Sequence, residues 1–441
     1  MSKFQLFELK YEHDMGQFYD RLRNLPGFVL LESSDHSRGR YDIVSAIPYH
    51  TITFQPKSEQ IKNIFRFIEE AVPQRQYGLT LPFQGGAIGF FSYDLACLLR
   101  GLPLQDSLFS NQLPLAEFKL YDWAIITDHH LRKVTLFVAN TQPDTKDLIQ
   151  DVLACWHRAG NESQSDYAVK SAFTPLIRES DYAIAFKIIQ EELKRGRCYQ
   201  VNYTQPYIAP IAGDPWQAYI RIRQKNPVPY AAFMQTADAS ILSFSPERFI
   251  KMTDKTLLAS PIKGSEKRSA DANEDEFLKN RLINSLKNRA ENVMIVDLLR
   301  NDLGKIAKPG TVKVEKLCAL ESYAAVHHLV STITAQCRDE VTALQAFESC
   351  FPCGSITGAP KLEAMKVIVE REKYSRGVYC GSIAYFSAHG DFDSNVAIRT
   401  LTALDGQLHM AAGGGIVIDS NCEDEYEECN TKIAAIIRGL L

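Results

Sequence analysis

The chain has 441 residues, a net charge of −4, and 45% hydrophobic and 23% charged residues. This length and composition are typical of a globular protein with a large core, and the slight negative charge gives no electrostatic case for nucleic acid or an anionic membrane as partner. No apolar run approaches the roughly 20 residues that a membrane span needs.

Strand-like runs dominate the first part of the chain. Their alternating or continuous apolar pattern predicts strands of an antiparallel sheet. These runs are residues 25–33, 41–48, 51–56, 87–94, 118–127 and 133–140. Helical patterns are shorter here, over 57–71 and 144–158. The longest polar segment, 159–171, predicts the main boundary, between a region 1–160 and a region 172–441.

The second region opens with a predicted helix. Ser180 is its expected N-cap, Ile184, Ile188 and Leu193 follow at helical spacing, and Gly196 ends it. Further strands are predicted at 198–209, 230–235, 240–244, 248–252, 256–260, 326–334, 378–387, 394–402 and 407–412. Further helices are predicted at 273–303, 342–350, 359–371 and 422–440. Strands and helices come in blocks, which predicts an α+β fold built on large antiparallel sheets.

The ten cysteines are spread singly along the chain. Only Cys350 and Cys353 have a CxxC spacing, and no second pair or nearby histidine completes a zinc site. Charges interrupt the apolar N-terminal stretch, unlike a secretory signal. We therefore expect reduced, mostly buried thiols and a cytoplasmic protein.

Two residues in the segment 245–268 are candidates for chemistry. Glu247 follows Ser-Pro at the start of a predicted strand, and Lys263 lies in a Pro-Ile-Lys-Gly turn. A lysine before glycine is most often a solvated loop residue. The functional alternative is an amine whose pKa is lowered by partial burial, so that it acts as a nucleophile. Spacing alone does not decide between them.

Three charged residues near the C-terminus share one helical face. Glu425, Glu428 and Lys432 have the offsets i, i+3 and i+7, and their helix follows the glycine-rich run 411–419. A solvent-facing, salt-bridged face is the simpler interpretation. The alternative is that carboxylates of this helix and Glu291, on the predicted helix 273–303, hold a hard cation. Such oxygens suit Mg²⁺, which keeps waters and bridges carboxylates to a ligand anion.

A second glycine-rich loop, 351–368, feeds another predicted helix. Its glycines and the hydroxyls of Ser355 and Thr357 suit a carboxylate or phosphate. The loop has no GxxxxGK[ST] pattern, and Gly413–Gly415 open no βαβ unit. Neither a P-loop nor a dinucleotide fold is therefore indicated.

Together these segments resemble one family, the chorismate-utilising enzymes. The family comprises the large subunits of anthranilate and aminodeoxychorismate synthases, with isochorismate and salicylate synthases as relatives. The matching strings are CYQVNYTQ (198–205), FSPERF (244–249), SPIKGS (260–265), AENVMIVDLLRNDLG (290–304), VHHLVSTITA (326–335), GSITGAPK (354–361), CGSIAYFS (380–387), AIRTLTA (397–403) and AGGGIVIDSNCEDEYEECNTK (412–432). LLESSD (30–35) and GGAIGFFSYD (85–94) extend the match, more loosely, to the first region. The resemblance implies large antiparallel sheets packed as a sandwich, with helices on the outer faces.

Two positions bear on the reaction. Gln200 stands where the water-activating lysine of isochorismate and salicylate synthases stands, which counts against water as nucleophile. Lys263 stands where anthranilate synthases usually have alanine, and PIKG favours the aminodeoxychorismate-forming branch. The resemblance thus implies amination of chorismate to 4-amino-4-deoxychorismate, on the route to para-aminobenzoate and folate. Anthranilate synthesis with loss of pyruvate is the alternative, and a non-catalytic scaffold is another.

The resemblance also implies roles. Lys263 would attack C2 of chorismate while Glu247 protonates the departing 4-hydroxyl, and ammonia would then displace the lysine. Mg²⁺ would be held by Glu291 and Glu428, with Glu425 acting through water. The residues expected to orient the substrate are Gln200, His328, Thr357, Tyr379, Arg399, Gly414 and Lys432.

Three further expectations come from the same resemblance. The chain has no glutaminase elbow, so a separate glutamine amidotransferase subunit would supply ammonia. Glu32, Ser33, Pro229 and Tyr230 match a tryptophan pocket that binds a structural ligand; packing between sheets is the equal alternative. Cys353 replaces the usual first glycine of the loop, at a cost of about 1–2 kcal/mol if that position needs a positive φ.

Overall fold

The computed structural model describes residues 4–58, 61–106, 113–158, 167–323 and 326–440. Within these ranges, no helix is both long and apolar enough to cross a membrane.

Twenty-three strands lie in the described ranges. In chain order they are β1 (Gln5–Leu9), β2 (Val29–Glu32), β3 (Tyr41–Ser45), β4 (His50–Phe54), β5 (Gly86–Phe91), β6 (Ala116–Tyr121), β7 (Trp123–Asp128), β8 (Lys133–Val138), β9 (Ala168–Val169), β10 (Thr174–Pro175), β11 (Gln200–Ala212), β12 (Tyr230–Gln235), β13 (Ala239–Ser245), β14 (Arg248–Thr253), β15 (Thr256–Ala259), β16 (Ile262–Lys267), β17 (Lys313–Ser322), β18 (Val326–Gln336), β19 (Gly358–Ala359), β20 (Ser382–Ser387), β21 (Phe392–Asn395), β22 (Thr400–Leu404) and β23 (Gln407–Ile416).

Eleven α-helices lie in the same ranges. They are α1 (Gly16–Leu22), α2 (Ile64–Ala71), α3 (Tyr93–Leu99), α4 (Thr145–His157), α5 (Glu179–Lys194), α6 (Pro215–Lys225), α7 (Ala272–Ile283), α8 (Leu286–Gly304), α9 (Ala343–Cys350), α10 (Lys361–Arg371) and α11 (Cys422–Leu440). Two 3₁₀ turns are added at Ile61–Asn63 and Gly354–Ile356.

The strands form two large antiparallel sheets. One has the order β1-β8-β7-β3-β2-β12-β13-β22-β23-β11-β10, with β19 and β9 also paired to β11. The other has the order β16-β18-β15-β14-β21-β20-β5-β6-β4, with β17 paired to β18. Apolar side chains of both sheets, such as Leu30, Phe118 and Phe386, join one buried cluster with residues of the helices. The predicted α+β sheet architecture is therefore confirmed.

Both sheets combine strands from the two predicted regions. β2 pairs with β12 through Leu30 and Phe233, and β5 pairs with β20 through Ile88 and Tyr385. The division at 160/172 therefore does not separate the sheets. Part of that boundary, 159–166, lies outside the described residues, and the division into two regions stays a prediction.

Some predicted elements differ from the structure in informative ways. The helix expected to have Ser180 as its N-cap has Arg178 there instead, two residues earlier, and begins at Glu179; Glu179 and Asp181 place stabilising negative charge in its first turn. The single helix expected over 273–303 is two helices, because the Ser285 side chain accepts from Asn288 N and starts α8 anew. The run 118–127 is also two strands, β6 and β7, in different sheets. The predicted strand 394–402 is interrupted by Arg399, whose φ is 51°.

Candidate active site

Glu247 lies in the short link between β13 and β14. Its main-chain N–H donates to Ser245 Oγ at 3.2 Å, and its carbonyl accepts from Val396 N at 3.0 Å. These bonds fix the backbone, and the side chain is buried with its Oε1 atom unpartnered in the structure. Burial raises the pKa of Glu247 to about 7, although the Lys263 ammonium opposes the shift. A carboxyl of this kind is half protonated near neutral pH, as a general acid requires.

A bulge in β16 determines where Lys263 points. Ile262 pairs with Val330 and Ser265 with His328, so Lys263 and Gly264 lie at a register shift between them. Gly264 has φ 84°, which glycine adopts without strain. Lys263 is half-buried, and its Nζ donates to Ser355 O at 3.4 Å. Lys263 is therefore a half-buried strand residue and not a fully solvated loop residue.

The three charged residues of α11 face β23. Lys432 Nζ lies 2.5 Å from Glu428 Oε1 and donates to Gly413 O at 2.8 Å. Glu425 is buried, accepts from Ser420 Oγ at 2.7 Å, and has its Oε2 atom unpartnered. Glu428 keeps 47% of its side chain exposed. The shared helical face is therefore turned toward the glycine strand and not wholly toward solvent.

Glu425 and Glu428 both approach Gly414, and the charges of the neighbouring side chains affect the pKa of each carboxylate. Burial raises the pKa of Glu291, as Glu428 also does, while Lys263 and Lys287 lower it. Burial likewise raises the pKa of Glu425, with Glu428 adding to the shift. Burial would also raise the pKa of Glu428, but Lys432 and the other nearby lysines hold it below its usual value.

The donor set fits a hard cation. No three His, Cys, Asp or Glu of the described ranges are arranged as a complete metal cage. Glu425 Oε2 is nevertheless a buried carboxylate oxygen without a partner, and the charge of Glu428 raises the pKa of Glu291. Mg²⁺ keeps several waters and takes only one or two carboxylates together with a ligand anion. Glu291 and Glu428, with Glu425 behind them, are the residues that would hold it.

Gln200 borders the same carboxylates from β11. Its Nε2 lies 3.4 Å from Glu291 Oε2, while its Oε1 is buried without a partner. A β-carbon at Gly415 would collide with this amide nitrogen. Glycine at 415 therefore makes room for the Gln200 side chain.

The glycine-rich loop closes another side. Thr357 is buried, and its hydroxyl donates to Cys353 O at 3.1 Å. Cys353 has φ −59°, so the substitution causes no backbone strain at that position. Ser355 O is the acceptor for Lys263, which ties the loop to β16.

His328 lies opposite Ser265 of β16, on the strand β18. Tyr379 is buried, close to the segment 396–399 that contains Arg399. The Ser265 hydroxyl and His328 Nδ1 are 2.6 Å apart, and burial lowers the pKa of His328 to about 3, so its ring is neutral. Burial and the neighbouring Arg38 lower the pKa of Arg399. Tyr379 is linked through Cys380, whose N donates to Ala397 O at 2.9 Å.

Arg38 also lies beside Glu247, and no pattern in the sequence predicted this. It belongs to the segment 35–40, between β2 and β3, and its Nη2 donates to Pro246 O at 3.1 Å. The only signal in the sequence was a polar, glycine-containing break between two apolar strands, which does not indicate a target 208 residues away.

Of the residues predicted to form a tryptophan pocket, Glu32 and Ser33 are hydrogen-bonded to other residues of the protein. Glu32 accepts from Arg223 Nε at 2.5 Å and from the Tyr219 hydroxyl at 2.8 Å. Ser33 N donates to Asp42 Oδ1 at 2.8 Å. Pro229 and Tyr230 lie at the start of β12, which pairs with β2. These contacts favour packing between elements, and tryptophan binding stays a prediction.

Comparisons with known proteins agree on one family. A family model described as chorismate binding enzyme matches residues 27–438. Aminodeoxychorismate synthase component 1 of Escherichia coli (strain K12) is 40% identical, covering 98% of this chain and 97% of that protein. The Bacillus subtilis (strain 168) protein of the same name is 34% identical, with 97% and 94% covered. Anthranilate synthase component 1 of Aquifex aeolicus is 30% identical, with 97% and 90% covered.

A solved structure has the same architecture. Anthranilate synthase component I from Streptococcus pneumoniae TIGR4 superposes with a TM-score of 0.81 at 29% identity, covering 90% of this chain and 92% of that one. The menaquinone-specific isochorismate synthase MenF of Escherichia coli, at 16% identity and a TM-score of 0.77, shares the fold.

Proposed function

Because the chain belongs to the chorismate binding enzyme family, we propose that it aminates chorismate with ammonia to 4-amino-4-deoxychorismate. One observation carries this proposal. The Lys263 amine donates to Ser355 O in the glycine-rich loop and lies near enough to Glu247, Glu291 and Glu428 for its charge to affect the pKa of each. The name aminodeoxychorismate synthase component 1, which the Escherichia coli and Bacillus subtilis relatives carry, supports this reaction over others of the family.

Lys263 acts as nucleophile in the proposed reaction. The Lys263 ammonium first loses a proton to solvent, and the neutral amine then forms a bond to C2 of chorismate. The two ring double bonds shift, and the C4–O bond breaks as Glu247 protonates the departing oxygen to give water. Ammonia then adds at C4, the double bonds shift back, and the C2–N bond to Lys263 breaks. The sum is chorismate plus ammonia giving aminodeoxychorismate plus water. No water molecule attacks the ring, since Gln200 has no basic nitrogen with which to activate one.

Glu247 supplies the proton for the departing hydroxyl. Its raised pKa, near 7, keeps it protonated in a large fraction of molecules at neutral pH. The unpartnered Oε1 atom is free to face the substrate. The main-chain bonds of Glu247 fix its backbone, and the Ser355 side chain and the Ile262 backbone hydrogen-bond its carboxyl group.

The carboxylates of Glu291 and Glu428, with Glu425, would hold Mg²⁺ through their hard oxygens. The cation would supply charge neutralisation at the ring carboxylate of chorismate. Lys432 binds Glu428 and so orients this carboxylate. Because Gly414 has no side chain, the carboxylates of Glu425 and Glu428 can approach the main chain of β23. Arg399 would bind a substrate carboxylate, while His328, Thr357 and Tyr379 would line the ring.

Ammonia would come from a separate glutaminase subunit. The relatives above carry the words "component 1" in their names, which supports a second component. Titrating the purified chain with a glutamine amidotransferase should raise glutamine-dependent activity, whereas free ammonium should bypass it. Failure of any such protein to raise that activity would remove the proposed partner.

Product analysis tests the function itself. The purified chain is incubated with chorismate, MgCl₂ and ammonium chloride, and products are resolved by mass and fluorescence. Aminodeoxychorismate, converted to para-aminobenzoate by an added lyase, is the expected result. Anthranilate with an equal amount of pyruvate would instead assign the chain to anthranilate synthesis.

A further inference from the structure

Arg38 reaches the active site from the first region of the chain. It lies in the link between β2 and β3, and its Nη2 donates to the carbonyl of Pro246, the residue before Glu247. Its guanidinium carbon lies 4.3 Å from the centre of the Tyr323 ring. The Tyr323 ring centre is in turn 5.9 Å from that of His328. Arg38 is therefore adjacent to the end of the site that contains His328.

Arg399 approaches the same place from the other side. Its carbonyl accepts from Phe244 N at 3.0 Å, two residues before Pro246. Arg38 lies over the Tyr323 ring, which packs against His328, and its charge lowers the pKa of both Arg399 and His328. Arg38 and Arg399 are therefore two positive charges in the neighbourhood of His328.

Neither guanidinium has an acidic partner there. Across the described ranges, no salt bridge involves Arg38 or Arg399, although the next arginine, Arg40, pairs with Asp128 at 2.7 Å. Glu321, an acid in this neighbourhood, accepts instead from the Tyr323 hydroxyl. His328 is neutral and adds no charge. Two partly buried cations without an anion are unfavourable, and a ligand carboxylate would relieve that cost.

We infer that Arg38 and Arg399 together bind one carboxylate of the substrate. This inference rests on the proposed function, because chorismate carries two carboxylates. One would meet the Glu291/Glu428 side through a cation, which leaves the second for the arginine pair. A guanidinium group binds a carboxylate through paired N–H donors. Two guanidinium groups can therefore donate to both oxygens of one carboxylate. Arg38 is thus a substrate-binding residue supplied by the first region.

Direct binding tests the inference. Chorismate affinity is measured by calorimetry, with MgCl₂ and without ammonia, for the wild type, Arg38→Gln, Arg38→Lys and Arg399→Gln. We expect Arg38→Gln to raise the Kd about tenfold or more, because a charge-assisted hydrogen bond is lost. Arg38→Lys should recover part of the affinity. The matched control is Arg40→Gln, in the same loop but paired with Asp128, and it should leave the Kd within about twofold.

A double variant separates binding from support of Glu247. If both arginines hold one carboxylate, Arg38→Gln combined with Arg399→Gln should weaken binding by less than the product of the single effects. An unchanged Kd in Arg38→Gln, or a fall in kcat alone, would overturn the inference and leave Arg38 as a brace for Pro246. A wild-type chain that binds no chorismate would overturn the proposed function as well. A thermal unfolding curve for each variant identifies any loss that comes from misfolding.

Discussion

The main chain at Gly414 approaches the carboxylate of Glu425 so closely that a β-carbon there would lie 2.6 Å from Oε2. Such a carbon would also lie 3.5 Å from Oε1 of Glu428. Glycine at this position leaves room for the carboxylates of Glu425 and Glu428, and no special backbone angle calls for it, since Gly414 is not among the residues with positive φ. β23 and α11 therefore approach each other most closely where no side chain stands between them.

Gly414→Ala should reduce activity sharply while leaving the protein folded. The added methyl group would displace the Glu425 carboxylate and disturb Glu428, so the Mg²⁺ concentration for half-maximal activity should rise at least about tenfold. Gly304→Ala, at the end of α8, meets nothing within 4 Å and is the matched control. Magnesium titrations of initial rate measure both. An unaltered magnesium requirement in Gly414→Ala would contradict the arrangement.

Neutralising Glu428 should weaken magnesium binding in the same way. Glu428→Gln removes a carboxylate that faces Gly414, whereas Glu427→Gln removes one exposed on the same helix. Only the first should raise the Mg²⁺ concentration for half-maximal activity, by about tenfold or more. Chelation with EDTA should abolish wild-type activity, and added MgCl₂ should restore it. Equal behaviour of the two variants would exclude Glu428 as a ligand.

Lys263→Ala should abolish amination. Loss of a nucleophile costs about three orders of magnitude or more in kcat, while chorismate binding should persist. Lys267→Ala is the control, because Lys267 is exposed in the same strand. Initial rates with ammonium and calorimetric Kd values distinguish the two effects. A Lys263→Ala variant with near wild-type kcat would mean that ammonia attacks the ring without a covalent lysine step.

The rate should fall as the pH rises above about 7. Glu247 must be protonated to act as an acid, and its pKa of about 7 means that each further pH unit removes about nine-tenths of the active form. Glu247→Gln should lower kcat by about 10²–10⁴-fold and flatten this part of the profile. Profiles of kcat with saturating ammonia at each pH test the point. A wild-type alkaline limb that survives in Glu247→Gln would assign it to another group.

The buried pair of Arg376 and Glu372 should contribute strongly to stability. Their side chains are 1% and 2% exposed and lie 2.7 Å apart, and Arg376 also donates to Ile356 O and Asn202 O. Glu372→Gln leaves a buried, unpaired guanidinium and should lower the free energy of unfolding by about 3–5 kcal/mol. Glu370→Gln, which breaks an exposed pair with Arg197, should cost below about 1 kcal/mol. Denaturant unfolding curves measure both, and equal losses would contradict this account.

The sequence by itself determined the local parts of this site. Helical periodicity placed Glu425, Glu428 and Lys432 on one face, because 3.6 residues per turn bring i, i+3 and i+7 together whatever lies beyond the helix. The apolar alternation predicted most strands, and the ordered motifs indicated the family. Eight of the ten cysteines are buried in the structure, which agrees with the expectation that most of the thiols are buried.

Only the tertiary structure decided which distant segments contact each strand and helix of the site. The bulge that aims Lys263 is a register shift against β18, and register depends on a partner strand about 65 residues away. Arg38 contacts Pro246 because β2 and β12 are neighbours in one sheet, a pairing that no local pattern specifies. The periodicity across 273–303 likewise continued through Ser285, where the capping bond divides the helix. Long-range strand order and close backbone approach arise from packing of the whole chain, and for that reason the first region's part in the site was not visible in the sequence.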